Sequence, residues 1–481
     1  MCWKKACILL LFFAVTAIVS PAQTVTTLAA FEQTNGATPR FGSVVQATNG
    51  DLYGTTEAGG SNNYGTIFEI TPAGVLTTLH SFNLTDGANP TAALVQATNG
   101  DLYGTASLGG TGTACGRTGC GTIFKITVAG ALTTLYNFDM TDGTAPGGLI
   151  QAANGDFYGT TTEGGGGTST DCPGGGCGTI FKMTPAGALT TVHNFNSIDG
   201  AVPGDLVQAS NGDLYGTTMN GGAGTACENA CGTIFKITPA GALTTLHSFD
   251  GHDGSLTNAG LVQATNGDLY GTTYAGGNLC AHDQTCGTIF KITLAGVFTT
   301  LYNFSGTDGA FPEDSLVQGT DGYLYGTTYE GGSEYYSGTI FRITPAGALT
   351  TLHSFSPYNA GGYAPAAGLT QDTNGDFYGT TMDGVSGLCQ NGCGTVFELS
   401  VGLGPFLKTL PTVGVAGSAV RILGTDLSGA TSVTFNGIAA AFSVVSATQI
   451  LARVPADATT GKVQVITPGG TLLSNVGFVV P

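Results

Sequence analysis

Asn49-Gly-Asp-Leu-Tyr53-Gly-Thr-Thr56 decides the fold, because the chain writes this phrase seven times with small changes. The tyrosine recurs at Tyr103, Tyr158, Tyr215, Tyr270, Tyr325 and Tyr378, at spacings of 50, 55, 57, 55, 55 and 53 residues. A period of this size built from short strands is the signature of a β-propeller, one blade per repeat. Working outward from the copy at 211–218, four strands emerge. Leu206-Val-Gln-Ala-Ser210 is a short apolar inner strand, and Asn211-Gly212 is a hairpin turn in which both residues are expected at positive φ. Asp213 to Thr218 returns. Gly232-Thr-Ile-Phe-Lys-Ile-Thr238 is rich in β-branched and aromatic residues, as a third strand should be. Pro239-Ala-Gly241 turns, and Leu243 to Phe249 is the fourth strand. The apolar period is two throughout, so no helix is expected in any repeat.

The phase of the repeats predicts how the ring shuts. The Gly-Thr-Ile/Val-Phe strand starts at Gly65, Gly121, Gly178, Gly232, Gly287, Gly338 and Gly394. The Thr-Thr-Leu/Val-x-x-Phe strand also occurs seven times, but its first copy, Thr26 to Phe31, precedes any complete repeat. No copy follows the last Gly-Thr-Val-Phe. The orphan at the start fits the vacancy at the end, and pairing them leaves no blade with a bare outer edge. The expected architecture is all-β: a seven-bladed β-propeller over 23–402 closed by an N-terminal strand, followed by a small immunoglobulin-like β-sandwich over 403–481. The second unit is read from short alternating strands such as Ser418-Ala-Val-Arg-Ile-Leu423 and Lys462-Val-Gln-Val-Ile-Thr467.

Two resemblances carry these readings further. The phrases Asn-Gly-Asp-Leu/Phe-Tyr-Gly-Thr-Thr and Gly-Thr-Ile/Val-Phe-x-Ile/Leu-Thr/Ser, over about 24–402, resemble the Gloeobacter/Verrucomicrobia tandem repeat of exported bacterial proteins. That resemblance implies a surface or secreted location and no established chemistry. The tail from about 403 is similar to the IPT/TIG domain, which implies an immunoglobulin-like fold and a frequent extracellular setting.

Composition narrows the partners. With 13 basic against 31 acidic residues, a formal charge of −18 and no basic run in the mature chain, nucleic acid and anionic lipid are poor partners. Residues 1–22 read as a signal peptide: Lys4 and Lys5, an apolar stretch from Ile8 to Val19, then Ser20-Pro-Ala22 as a cleavage site. No later segment is apolar enough to span a bilayer, so a secreted or cell-surface protein is expected. Ten of the twelve cysteines form close pairs at one place in the repeat: Cys115/Cys120, Cys172/Cys177, Cys227/Cys231, Cys280/Cys286 and Cys389/Cys393. In an exported chain they read as disulfides, which would stiffen long loops. The alternative, metal thiolates, lacks further ligands within the loops apart from His282. Neither a metal nor an organic cofactor is expected.

Alternate links in a propeller project to opposite faces. The minimal turns therefore share one face, and the cysteine loops and blade-to-blade links share the other, where function is expected. Asp86, Asp142, Asp199, Asp253 and Asp308 precede Gly in those links and read as turn residues, against a calcium or acid–base ring. His80, His193, His247 and His353 share one outer-strand position with Tyr136, Tyr302 and Ala29, which reads as packing. Glu163, Glu330 and Asp383, at the mouth of the cysteine loop, are the acids suited to glycoside cleavage if two lie at the right separation. Tyr64, Tyr329, Tyr335, Tyr336, Tyr358 and Tyr363 cluster in blades six, seven and one, and flat rings with a polar rim suit a sugar or peptide. The leading reading is a non-catalytic recognition or adhesion protein for a polysaccharide or protein ligand. An extracellular polysaccharide-active enzyme and a purely structural envelope component are the alternatives.

Overall fold

The computed structural model describes residues 23–481 except 167–171, 173–174, 225–226, 228–230, 281–284, 335–336, 359–360, 385–388 and 390–391. Residues 1–22, read above as a signal peptide, and Tyr335 and Tyr336 lie outside the described residues. Among these residues there is no α-helix. Seven antiparallel sheets follow one another along the chain. The first blade shows the plan: Val45–Gln46 innermost, then Leu52–Thr56, Thr66–Ile70 and Leu76–Ser81. The seventh blade takes Thr370–Gln371, Phe377–Thr381 and Thr395–Ser400 from the end of the array and Thr24–Ala30 from its beginning. Thr24 pairs with Ser400 and Ala30 with Thr395. The bulge that every outer strand carries opposite its Ile-Phe step recurs here between Thr27 and Ala29. The orphan strand is therefore a true copy of the other six, and the ring is closed.

The repeated phrase is explained residue by residue. Tyr53 and its six counterparts are fully buried between blades. The glycine after each must lack a side chain, since a Cβ on Gly54 would lie 2.5 Å from Cζ of Phe68, with the same clash at Gly216 and Phe235. The first threonine reaches across to the next blade: Thr55 donates to the carbonyl of Ala92, Thr217 to Ala259, and Thr380 closes the circle on Pro39. The second threonine bonds the threonine of its partner strand, as Thr56 does Thr66 at 2.8 Å. Between blades, phenylalanines meet edge to face around the ring, from Phe82 on Phe124 at 5.3 Å to Phe31 on Phe68 at 5.0 Å. Each buried aromatic contributes about 1.5–3 kcal/mol by burial, with the paired geometry adding to it.

The glutamine of the innermost strand forms a second belt. Its side-chain oxygen accepts the backbone N–H of the preceding blade's turn: Thr48 to Gln96, Thr98 to Gln151, Ala153 to Gln208, Ser210 to Gln263, Thr265 to Gln318, Thr320 to Gln371, and Thr373 back to Gln46. These turns correct one expectation. Only the glycine has positive φ, for instance +93° at Gly50, while Asn49 does not. Gly50 N–H donates to Ala47 and Ala47 N–H to Asp51, so this is a type I turn with a glycine bulge, not the two-residue type I′ hairpin. The asparagine serves instead as an acceptor for Asp51 N–H and a donor to the Tyr53 hydroxyl at 2.8 Å.

The cysteine pairs are all disulfides: Cys115–Cys120, Cys172–Cys177, Cys227–Cys231, Cys280–Cys286 and Cys389–Cys393. Their placement reaches beyond the loops. The second cysteine of each pair, Cys120, Cys177, Cys231, Cys286 and Cys393, is buried in the apolar layer between blades. None of these five is an exposed site residue. The reason is position: each stands immediately before the glycine that opens the buried third strand. Its carbonyl also accepts the backbone N–H of the following blade-to-blade link, Ala145 on Cys120, Val202 on Cys177, Leu256 on Cys231, Phe311 on Cys286 and Thr38 on Cys393. Each disulfide therefore ties its loop to the core.

The C-terminal unit is two four-stranded sheets. One holds Lys408–Leu410, Ala419–Leu423, Gln449–Arg453 and Phe442–Val444; the other holds Ile438–Ala439, Ser432–Phe435, Val463–Thr467 and Gly470–Leu473. Val420, Ile422, Val433, Phe435, Val463 and Phe478 fill the space between them. It docks on the short-turn face. Thr448 donates to Thr48, Arg421 to Thr98, and the backbone of Phe406 to Thr373. Lys408 Nζ reaches Gln46 Oε1 at 3.3 Å, and burial lowers this amine to about 8.

Candidate functional site

With one face occupied by the sandwich, the long-loop face is where the ring presents its centre. Each blade-to-blade link enters the channel through a residue in the left-handed region: Thr38, Asn89, Ala145, Val202, Leu256, Phe311 and Ala364, with φ from +51° to +56°. Such backbone costs on the order of 1 kcal/mol per residue outside glycine. The cost is borne seven times because the kink drops the next residues into the channel. There the repeats stop agreeing. The positions after the kink are Arg40 and Phe41 in blade one, Gly147 and Gly148 in blade three, Gly204 and Asp205 in blade four, Glu313 and Asp314 in blade six.

These residues build a funnel of ≈260 Å³, lined among others by Phe41, Gly148, Asp205, Asn258, Glu313 and Asp314. Asp205 and Asp314 form its floor, in space left by glycines. Gly148 N–H donates to Asp205 at 2.8 Å, and a Cβ on Gly148 would strike that carboxylate. Gly368 N–H donates to Asp314 at 2.7 Å, and Ser43 Oγ stands 3.5 Å from it. Burial raises both acids, Asp314 to about 6 against the pull of the Ser315 and Gly368 amides. Both are partly buried and both line the funnel. Glu313 sits in the wall, 9% exposed. Its Oε1 lies 3.6 Å from Arg40 Nη2, and its Oε2 has no hydrogen-bond partner. Burial pushes Glu313 up to about 7, opposed by Arg40 and reinforced by Asp314. Arg40 in turn lies 4.2 Å over the Phe41 ring, and its Nε also lacks a partner.

The residue two places after the blade-crossing threonine lines the funnel in blades two and three, as Ser107 and Thr162. In blades five and six this residue is Tyr274 and Tyr329, each bonded by its backbone N–H to the kinked residue, Leu256 and Phe311. Tyr274 stacks on Phe311 with centroids 4.9 Å apart. Burial raises both phenols, and the charges of Glu313, Glu330 and Arg40 act on both.

The sequence-derived candidates divide among these places. Glu330 and Asp383 occupy equivalent bridges, opposite Ala310 and Tyr363, in neighbouring blades. Burial raises both carboxyls, and both act on Tyr329. Glu163 holds the same position in blade three, opposite Thr144, exposed and on another sector of the ring. Tyr363 is half-buried beside Asp383, and burial raises it. Tyr64 is packed at the boundary of blades one and two, with its carbonyl taking Asn89 N–H. Tyr358 is 86% exposed. The link aspartates act within their turns: Asp86 accepts Asn83 N–H and holds His80 at 3.0 Å, and Asp308 takes Ser305 N–H and the Tyr302 hydroxyl. Arg40, Asp205, Tyr274, Glu313 and Asp314 were not singled out by sequence. The signal for the charged link residues was a charge where other repeats carry Gly, Ala, Thr or Asn; Tyr274 stands where other repeats carry Glu57, Ser107, Thr162 or Met219. Among the described residues no cluster of three metal-ligating side chains occurs.

The chain matches the Gloeobacter/Verrucomicrobia repeat over residues 14–227, 113–282 and 226–418, and the IPT/TIG domain over 407–480. No curated protein matches the sequence. Among solved structures it is similar to a catalytically inactive virginiamycin B lyase from Staphylococcus aureus with quinupristin, at 17% identity and a TM-score of 0.51, covering 79% of this chain and 99% of that one. It is also similar to a fungal alcohol oxidase in complex with copper, at 12% identity and a TM-score of 0.52, covering 95% and 99%. At these identities the likeness is one of fold.

Proposed function

We propose that this chain, which belongs to the Gloeobacter/Verrucomicrobia repeat family and carries a C-terminal IPT/TIG domain, is an exported recognition protein whose long-loop face binds a carbohydrate or peptide. The observation that carries the reading is the division of faces. The sandwich takes the short-turn face, and the other face offers a funnel lined by Phe41, three acids and small polar residues, with Glu313 in its wall. A rigid ring with disulfide-held loops suits binding without large rearrangement, because little order is lost on association. Five disulfides and a repeat found in exported proteins support an extracellular setting. No helix among the described residues is long and apolar enough to cross a membrane.

A second reading, acid–base cleavage of a glycan, is favoured by one feature: Glu313, raised by burial to about 7, keeps part of its proton at neutral pH and feels the charge of Glu330. Array binding with the mature protein separates the two. The recognition reading expects a bound glycan or peptide, at least tenfold weaker for Tyr274→Ala and Tyr329→Ala, with no product formed. Turnover of a bound polysaccharide, abolished by Glu313→Gln, would replace it with the enzyme reading. Absence of any binding partner, with both tyrosine variants folded, removes both.

A further inference from the structure

The glutamine belt is regular in six blades and rewired in one. Gln96, Gln151, Gln208, Gln263, Gln318 and Gln371 each donate a side-chain N–H to the glycine carbonyl of their own turn, at 3.0 or 3.1 Å. Gln46 turns its amide across to blade seven instead. It donates to the Asp372 carboxylate and to Thr373 Oγ1 at 2.9 Å, while its oxygen still accepts Thr373 N–H. The cause is one departure from the repeat. The residue after the glutamine is Ala in blades one to five and Gly319 in blade six, but Asp372 in blade seven. Asp372 is 2% exposed, and its Oδ1 takes Gln46, Thr373 Oγ1 and Asn374 N–H together. A carboxylate buried to this degree calls for a cation as well as hydrogen bonds.

The sandwich brings that cation. Lys408 Nζ reaches the Gln46 oxygen at 3.3 Å, so ammonium, amide and carboxylate form a chain from the sandwich through blade one into blade seven. Burial pushes the Lys408 amine down and the Asp372 carboxyl up, and each group opposes the shift of the other. The wider seat is acidic too. The third strands of blades one and seven carry Glu69 and Glu398 where the other five carry Lys or Arg, such as Lys125 and Arg342. The remaining contacts keep to the same sector: Phe406 N–H on Thr373 in blade seven, Thr448 on Thr48 in blade one, Arg421 on Thr98 in blade two. The fit is close. A Cβ on Gly50 would lie 2.7 Å from Cγ2 of Thr448, and one on Gly375 would lie 2.3 Å from the carbonyl oxygen of Leu403.

The boundary between blades seven and one is where the two ends of the array meet. We propose that the C-terminal sandwich is a clasp on that boundary: Lys408, seated on the Gln46–Asp372 contact, ties the last blade to the first, so that docking of the sandwich and closure of the ring are one cooperative event. The short stretch from Ser400 to Lys408 would keep the sandwich nearby in any case. Such a tether needs neither a diverted glutamine nor a buried aspartate, and it would put no charge on the boundary.

Amide hydrogen exchange on the chain from residue 23 to 481 tests this, read by mass spectrometry on the unaltered protein, on Asp372→Ala, on Lys408→Met and on the two together. Asp372→Ala installs the residue that five blades already carry, and Lys408→Met acts from the sandwich side, so a folding defect in one would not be shared by the other. Expected in either single variant is exchange about tenfold faster in 403–410 and, on both sides of the boundary, in 24–30, 44–48 and 395–400. Strands 179–183 and 233–237 of blades three and four should keep their rates. The double variant should return to within about threefold of the unaltered protein, because no buried charge is left without its partner. Faster exchange in 403–410 beside an unchanged boundary would show that the sandwich docks without clasping the ring, and overturns the proposal. Unchanged exchange in both places overturns it, as does a rise spread evenly over all blades, which is a loss of stability at large. A double variant no slower than the singles overturns the coupling of Lys408 to Asp372 and the clasp with it.

Discussion

At the scale of single residues, Glu313 links the funnel to stability. Its carboxyl is raised from an ordinary 4.5 to about 7, first by burial. The folded protein then keeps a proton that the unfolded chain releases between those values, so this group's contribution is full below about pH 4.5 and is lost as pH rises through about 7. Asp314 acts in the same direction, between 3.8 and about 6. The urea midpoint should therefore fall from pH 5 to pH 8 by an amount worth up to about 2 kcal/mol, and Glu313→Gln should remove a large part of that fall. A slope unchanged in the variant would show that Glu313 titrates normally. The same residue marks the limit of sequence reading. Glu330 and Asp383 were found because they break the repeat beside a phrase that is easy to align. Glu313 breaks it in a link whose length varies, with Arg40 and Phe41 carried on an extra residue, so alignment alone hides it. What places it in the funnel is a left-handed backbone, which no side chain there announces: Thr, Asn, Ala, Val, Leu and Phe all adopt it.

At the scale of the strand and its turn, the belt of glutamines is the informative element. Gln263 accepts Ser210 N–H at 2.8 Å and donates to its own turn at Gly267. Gln263→Leu would leave a buried or half-buried donor and acceptor unmade in two adjacent blades. A loss of about 2–3 kcal/mol is expected in chemical denaturation. A change under about 0.5 kcal/mol would mean that water replaces the amide at no cost. The recurrence of Leu-Val-Gln was visible in the sequence, but its purpose was not, because the partner lies in the neighbouring blade some fifty residues away. The cysteine pairs were legible as disulfides for a simpler reason, their even number in close pairs on a chain read as exported, yet the burial of Cys231 and its counterparts depends on the blade packed alongside. The turn type was misjudged on similar grounds. Asn-Gly is the strongest two-residue hairpin signal, but here the asparagine amide is engaged with the Tyr53 hydroxyl, and the glycine alone takes the left-handed conformation.

For the whole molecule, the period and the phase of the repeats were enough to give seven blades and the origin of the last outer strand. The decisive observation was an orphan segment and a matching vacancy, which a closed ring requires and an open stack does not. Removing residues 23–31 should bare the edge of Thr395–Ser400 and take Phe31 from its place against Phe68. We expect that truncated chain to associate or precipitate, and to melt well below the intact chain, by light scattering and circular dichroism. A monomeric truncated chain with an unchanged midpoint would mean that the seam contributes nothing. The docking of the sandwich was beyond sequence, because Arg421 and Thr448 meet ordinary turn residues of the ring and Lys408 meets Gln46, a residue repeated in every blade.

The seam has one more consequence, for the order of events as the chain is made. Thr24 pairs with Ser400, so the first strand of the ring to be synthesised waits for nearly the last part of the array. Six blades can assemble as they appear, each from contiguous sequence, but the circle stays incomplete until some 370 further residues have been added. Topology alone thus makes closure the last step in the assembly of the ring, and a chain interrupted anywhere before the seventh blade keeps its first strand unpaired.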